Sequence, residues 1–404
     1  MNRMDRRSPD AAAAPPGFVT HVLDRRRFLV LLGGAAAAAT LAPNLAWAVR
    51  HASRLESAPW TLPESLPQGP VDAARALIGA AILAPSYWNA QPWRFEVDGS
   101  ELRLTLDPAR ALPACDPDQR FTHMSLGAAL ENLLVAARAW GRQPTVHYLP
   151  WGARARTGQA LVAASVAWEP GEARRDPALF AAIPARRTNP RHYDGRGLTM
   201  QERAQLEAQV PDELRLHWLD DRAAIHAAAV VVRQAMDTRV HDPAAQVERY
   251  RWLRLSDGDE RRAGDGVTPE HLNLGGPLGW LAARALHPRS RAYAWGADSL
   301  ARETADATRN SGALALLTAP VRQDATFLVA GQAYERLALR ATALGLAQQP
   351  LAGPIESEAH RVPIARCFGA AGEEPLLLVR FGHAHPPAPT ARRAVALVST
   401  WRTT

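Results

Sequence analysis

The sequence predicts an α+β fold of two related halves in one chain, an internal pseudo-dimer with antiparallel-rich sheets flanked by long helices. Two observations carry this. The order helix, hairpin, helix, strand is read over residues 71–175, and a similar succession follows over 176–404. The two longest apolar helical stretches, "LGAALENLLVAARAWG" and "AGQAYERLALRATALGLA", also share one pattern: a small residue, then Glu, then rows of Leu and Ala, then a closing Gly. Their matching position ahead of a strand favours an internal duplication.

In the first half, "VDAARALIGAAILA" (71–84) places apolar residues at helical spacing and stops at Pro85. "WRFEVDGSELRLTLDP" (93–108) alternates apolar and polar around Asp98-Gly99, a hairpin signal. "MSLGAALENLLVAARAWG" (124–141) is a long apolar helix closed by Gly141, and "ALVAASVAWEPG" (160–171) is a strand. The second half opens with "PALFAAIPARRTNPRHYDG" (177–195) and a helix over 201–209. "ELRLHWLDD" (213–221), "SGALALLTAP" (311–320) and "EPLLLVRFGHA" (374–384) read as strands. "AAIHAAAVVVRQAM" (223–236) and "FLVAGQAYERLALRATALGLA" (327–347) read as helices. Residues 237–310 fit neither half, and their mixed apolar, Gly and Pro content suits an inserted lid.

Composition excludes several function classes. The chain has 404 residues, 47% hydrophobic and 22% charged, enough to bury at least one full core. Its 47 basic residues are all arginine, and the net charge of +7 is scattered, without like-charge runs or aromatic interleaving, which argues against a nucleic-acid partner. Cys115 and Cys367 have no neighbour at metal spacing, and His383-Ala-His385 has no adjacent carboxylate, so no metal site is expected. No Rossmann, P-loop or G-x-S-x-G signature is present.

The N-terminus reads as an address. Arg25, Arg26, Arg27, Phe28 and Leu29 precede a weakly apolar Gly/Ala-rich run that ends in Ala46-Trp47-Ala48. This resembles a twin-arginine (Tat) signal over residues 1–48, with a linker over 49–70. It implies a transient partner, the Tat translocase, and a periplasmic mature protein exported folded, or a membrane-anchored one if the signal is not cleaved. Pro43 and the two glycines make the run a poor stable span.

"APSYWNAQPWRF" (84–95) is similar to the A-P-S-x-x-N-x-Q-P-W segment of the nitroreductase superfamily, and "ARRTNPRHYDG" to its R-R-S-x-R-x-F segment. "FTHMSLGAALENLLVAARAWG" and "GQAYERLALRATALGLAQQP" resemble its central helices. The order of the pieces matches the branch in which two such halves are fused, the Acg-like proteins. The resemblance covers most of residues 71–404 and implies an FMN-dependent oxidoreductase that passes hydride or electrons to a small nitro- or quinone-like acceptor. The alternative is an exported flavin-binding protein that sequesters FMN with little turnover.

Family members are usually homodimers in which the arginine-serine segment of one subunit meets the A-P-S segment of the other. Here each half carries only one of the two segments, so the resemblance implies one complete flavin site per chain, and a monomer suffices. Arg186, Arg187, Thr188 and Arg191 would hold the phosphate, with Arg392 and Arg393 matching a late basic pair. Pro85, Ser86, Asn89 and Gln91 would supply the polar rim of the flavin ring, and Trp88 and Trp93 would be wall or core. No protein nucleophile is implied, because the chemistry would lie at the flavin. Thr188 keeps the serine hydroxyl, whereas Pro190 stands at the family's second basic position and Arg191 follows one place later.

Overall fold

The computed structural model describes residues 60–402 apart from 100, 151, 153–159 and 172–175. The expected signal peptide, residues 1–48, lies outside the described residues. Among those described, no helix is long and apolar enough to cross a membrane.

The first half runs α1 (Pro70–Ala81), β1 (Trp93–Asp98), β2 (Glu101–Leu106), α2 (Arg120–Ala139), β3 (Arg142–Tyr148) and β4 (Val162–Pro170). A short helix, α3 (Pro177–Ala182), leads into α4 (Met200–Glu207) and β5 (Arg215–Leu219). Five helices follow: α5 (Arg222–Val240), α6 (Pro243–Arg251), α7 (Asp257–Ala263), α8 (Gly276–Ala285) and α9 (Tyr293–Arg309). Then come β6 (Ala313–Ala319), α10 (Thr326–Ala343), β7 (Ala347–Leu351), α11 (Glu358–Cys367), β8 (Glu374–Gly382) and, at the C-terminus, β9 (Ser399–Arg402).

The two sheets repeat one topology. The first has the order β3-β4-β2-β1-β9 and the second the order β5-β6-β8-β7, which reversed is β7-β8-β6-β5. Strand for strand, β1 to β4 correspond to β5 to β8, all paired antiparallel. The chain is therefore an α+β protein of two related halves. β1 and β2 are joined by the tight turn at Gly99, whereas the equivalent β5 and β6 are separated by α5 to α9, so the departure from the repeat begins at Arg222.

The central helices α2 and α10 lie against each other and feed both cores. Phe121 and Met124 of α2 pack in the second half's core with Leu316, Leu337 and Leu378. Leu328 and Leu339 of α10 pack in the first half's core with Ile78, Phe95 and Leu104. Each such fully buried side chain is worth about 1.5–3 kcal/mol, so the halves are stabilised by one another.

Three strands were not anticipated. β3 and β7 are edge strands that each carry a proline, Pro144 and Pro350, at positions where the chain alternates weakly. β9 is four residues long and pairs parallel with β1, a contact across some 300 residues that no local pattern signals. The segment 176–404, expected as the second half, thus ends in the first half's sheet. Cys115 and Cys367 are free thiols, and burial pushes the Cys115 thiol up to about 12.

Candidate active site

The segment after α1 is tightly bent. Trp88, Asn89 and Gln91 have φ of 53°, 50° and 53°, a left-handed backbone rarely adopted outside glycine, and such clusters are held by their surroundings. The surroundings are the two amides themselves. Asn89 Nδ2 donates to Gly266 O (2.9 Å) and Ala391 O (3.1 Å), and Gln91 Nε2 donates to Gly264 O (2.7 Å). The Arg393 backbone N–H donates to Gln91 Oε1 (2.9 Å), and Ser86 Oγ accepts from the Gln91 N–H (2.9 Å). The amide pair fastens this loop to the loop after α7 and to the C-terminal tail.

The end of α1 organises the arginines. Leu83 O accepts from Nη2 of both Arg186 and Arg392, each at 3.2 Å, and Ala84 O accepts from Arg392 at 3.0 Å. Carbonyls just past a helix C-terminus carry partial negative charge and suit cations. Arg392 Nη1 also donates to Asn89 Oδ1 (3.0 Å), and Arg186 Nη1 to Thr188 Oγ1 (3.4 Å). The Arg187 guanidinium is tied to the Pro184 and Arg186 carbonyls and lies 4.2 Å from the Trp60 ring centre; Arg392 lies 4.9 Å from the same ring. Gln348 of β7 anchors the segment, donating to Arg187 O and accepting the Tyr334 hydroxyl.

The buried carboxylate of Glu335, on α10, faces this cluster 3.4 Å from Arg186 Nε. Burial pushes its carboxyl up to about 8, against the pull of Arg186 and Arg392. Arg392 is held well below the usual guanidinium range by burial and then by the charges of Arg186 and Arg187, and Arg187 falls to about 10 for the same reasons. Three cations share a desolvated region whose nearest acid, Glu335, itself prefers to be neutral; the charge of Glu260 reaches Arg392 as a smaller influence. The buried Nε atoms of Arg186 and Arg392 have no hydrogen-bond acceptor.

These groups face a cavity of about 280 Å³. Pro85, Ser86 and Asn89 reach it from the first half, Arg186, Arg187 and Thr188 from the second, and Arg392 from the tail. The two lone segments read in the sequence therefore share one cavity. Gln91, Arg191 and Arg393 do not line it. Gln91 and Arg393 bond to each other in the adjoining tail contact, and the backbone of Arg191 is engaged with Asn189 and Arg380. Trp88 is a wall residue, while Trp93 is fully buried core.

Other cavity residues were not foreseen. Tyr87 OH accepts from Arg239 Nη2 (2.7 Å) and donates to Glu356 Oε1, which also forms an ion pair with Arg239. The three come from the first half, α5 and the helical turn Gly353–Glu356, so no sequence spacing links them. Burial pushes the Tyr87 hydroxyl up to about 12. Arg249 of α6 is buried at the wall with Nη1 unpartnered. Trp60 closes the arginine side, its Nε1 donating to Thr390 O (3.3 Å).

The pseudo-symmetric position is satisfied differently. Glu131 of α2, the counterpart of Glu335, accepts from Gln332 Nε2 (3.0 Å) and lies 3.5 Å from Arg336 Nη1. Tyr148 donates to Gln332 Oε1 (2.7 Å). Helix residues and one tyrosine replace the loop arginines there.

Fold and site together define a two-half α+β protein with one cationic, largely apolar cavity at the contact of its halves. The chain belongs to the nitroreductase family, a family of oxidoreductases. It is 31% identical over 337 residues to "Putative NAD(P)H nitroreductase Rv3131" of Mycobacterium tuberculosis, which covers 82% of this chain and 92% of that protein. Over 79 residues, 20% of this chain and 24% of that protein, it is 34% identical to "Putative NAD(P)H nitroreductase acg" of the same species. The crystal structure of the FMN-dependent nitroreductase NfnB from Mycobacterium smegmatis in complex with NADPH aligns at TM-score 0.31 and 20% identity, over 56% of this chain and 94% of that chain. No protein-family model matches the sequence.

Proposed function

We propose that the chain is an FMN-dependent oxidoreductase of the fused, Acg-like type, with one flavin site, acting on a small nitro- or quinone-like acceptor. The observation that carries this reading is the convergence of Arg186, Arg187, Arg392 and Thr188 on one cavity with the buried acid Glu335 behind them. Such a cluster is relieved by an anion, and the buried Arg392 Nε, which has no acceptor, fits a phosphate that accepts several hydrogen bonds.

Bound FMN would supply reversible hydride acceptance and delivery. The residues supply the rest. Arg187, Arg392 and the Thr188 hydroxyl bind the phosphate. Phe121, Met124 and Leu377 offer apolar surface to a flat ring, and Ser86 with the backbone at Pro85 gives it a polar rim. Met236, Val240 and Leu300 of the inserted helices cover the cavity and exclude water, the role of a lid. Arg249 places a positive charge at the wall, which favours an electron-rich ligand.

One observation favours sequestration instead. The Tyr87–Arg239–Glu356 contact ties the insertion to both halves and would slow access. On the sequence of residues 1–48 we place the mature chain in the periplasm, where a donor other than NAD(P)H would be needed. The visible absorption spectrum of the purified chain, before and after anaerobic NADPH, tests the reading. About one flavin per chain that bleaches quickly supports turnover; yellow protein that resists bleaching supports storage. A colourless chain that cannot be loaded with FMN would overturn both.

A further inference from the structure

The inserted helices expose apolar surface of a kind found nowhere else among the described residues. On α8, Leu278, Trp280 and Leu281 are 73%, 39% and 48% exposed, and Trp295 at the start of α9 is 45% exposed. These are the only exposed tryptophans described, and the large hydrophobics exposed elsewhere stand singly. The three on α8 belong to one face. Pro277, Leu278, Trp280, Leu281 and Arg284 follow three- and four-residue spacing on the side of α8 away from its buried Ala282 and Ala283. Trp295 stands on the helix packed beside α8, where Gly296 meets Ala282 O and Ala285.

The segment that carries these residues is basic. From His271 to Ala297 the chain contains no Asp or Glu, in a protein with 40 acidic residues, and it contains Arg284, Arg289 and Arg291. All three arginines are exposed, and Arg284 sits 5.5 Å over the Trp280 ring. Trp280 Nε1 donates to Leu255 O (3.0 Å), which fixes the indole in place. Tryptophan and leucine beside exposed arginines are what a helix uses to lie in the headgroup region of a bilayer, its rings at the interface and its cations on lipid phosphates. A second copy docking through the same segment would need acids to meet those arginines, and residues 271–297 supply none.

We infer that α8 and the start of α9 form a docking surface for an anionic phospholipid membrane. The inference does not depend on the flavin reading.

The test is co-sedimentation of the full chain with vesicles of phosphatidylcholine alone or with about a third phosphatidylglycerol, at low and high salt. The expected result is binding to the anionic vesicles that weakens with salt. Reversing three cations in R284E/R289E/R291E should weaken it by more than about a hundredfold, since each of the three lost charges is worth roughly fivefold and the added carboxylates repel the surface as well. W280S/W295S should weaken it at least ~10-fold through lost interfacial burial. A polarity-sensitive dye on L281C should shift to the blue on the same vesicles. Unchanged binding in both variants would overturn the inference and assign any membrane affinity to another part of the chain. It would also fall if the dye were silent to vesicles but the variants abolished a dimer seen by size exclusion, because a second copy would then cover the face.

Discussion

Gly127 of α2 and Gly331 of α10 meet reciprocally at the contact of the two halves: a Cβ on Gly127 would lie 2.0 Å from Leu328 O, and a Cβ on Gly331 would lie 2.0 Å from Met124 O. Each clash is with the backbone three residues before the other glycine, which is the signature of a local two-fold. The same relation carries Glu131 onto Glu335, each four residues beyond its glycine. The duplication is therefore written into the contact that joins the halves, and into the phasing of the acid that faces the arginine cluster.

Gly127→Ala and Gly331→Ala should each lower stability by at least ~2 kcal/mol, because the helices must part to admit a methyl group. Gly79→Ala in α1, where a Cβ meets nothing within 4 Å, should be neutral or stabilising by up to ~1 kcal/mol. Urea unfolding midpoints compare the three. Equal behaviour of Gly127→Ala and Gly79→Ala would contradict the close approach.

Much of this contact was legible in the sequence. The small-residue, Glu, Leu/Ala pattern of the two long helices located the duplication, and alternation with Asp98-Gly99 located the first hairpin. Segments defined by short-range chemistry, Pro85–Asn89 and Arg186–Thr188, were identified together and share the cavity. What stayed hidden is long-range. Tyr87, Arg239 and Glu356 lie more than a hundred residues apart, and β9 exists only by pairing with β1. Pro144 and Pro350 masked β3 and β7, because proline reads as a break unless the strand is known to lie at an edge. Gln91 and Asn89 were read as rim residues, yet their amides are spent on Gly264, Gly266 and the tail; polarity alone does not tell a ligand contact from a staple.

Arg187→Ala is the informative phosphate-site substitution, since Arg187 bonds only to carbonyls of its own loop and stacks on Trp60, whereas Arg392 also holds Asn89 and the end of α1. It should weaken FMN binding by about 10- to 100-fold, the worth of a charged hydrogen bond, and leave riboflavin binding nearly unchanged. Fluorescence titration with the two flavins measures both. Equal losses for both flavins would place Arg187 away from the phosphate.

Glu335 makes stability depend on pH with a defined sign. Its folded value of about 8 lies above the ordinary carboxyl range, so between roughly pH 4.5 and 8 the folded state binds more protons than the unfolded one. This contribution is fully present below the unfolded value, falls as pH rises through that window, and levels off above it. Glu335→Gln, isosteric with the neutral acid, should remove the slope: its stability relative to the parent should rise from pH 5.5 to 8.5, followed by urea midpoints. A constant difference across that range would show that Glu335 is ionised throughout, as the partner of Arg186.

Tyr87→Phe tests whether the insertion acts as a lid. The hydroxyl joins the first half to Arg239 of α5 and to Glu356 beyond β7, so its loss frees one side of the cavity without altering the ring contact of Tyr87 with Phe121, 5.1 Å between centres. The Arg239–Glu356 ion pair survives the change, and global stability should fall by only ~1–2 kcal/mol. Local opening around Arg239 should respond more strongly, because the hydroxyl ties the C-terminal end of α5 directly to the first half, away from the ties that Glu248 and Asp265 make with residues 110–115. Amide hydrogen exchange over 236–250 should quicken by at least ~5-fold, with the β6 and β8 amides affected only through global stability, and FMN should slow exchange of the insertion in both proteins. If the parent's insertion exchanges at the same rate with and without FMN, the inserted helices are a fixed wall. Access to the cavity must then be set on its other side, where Trp60 stands between Arg187 and Arg392.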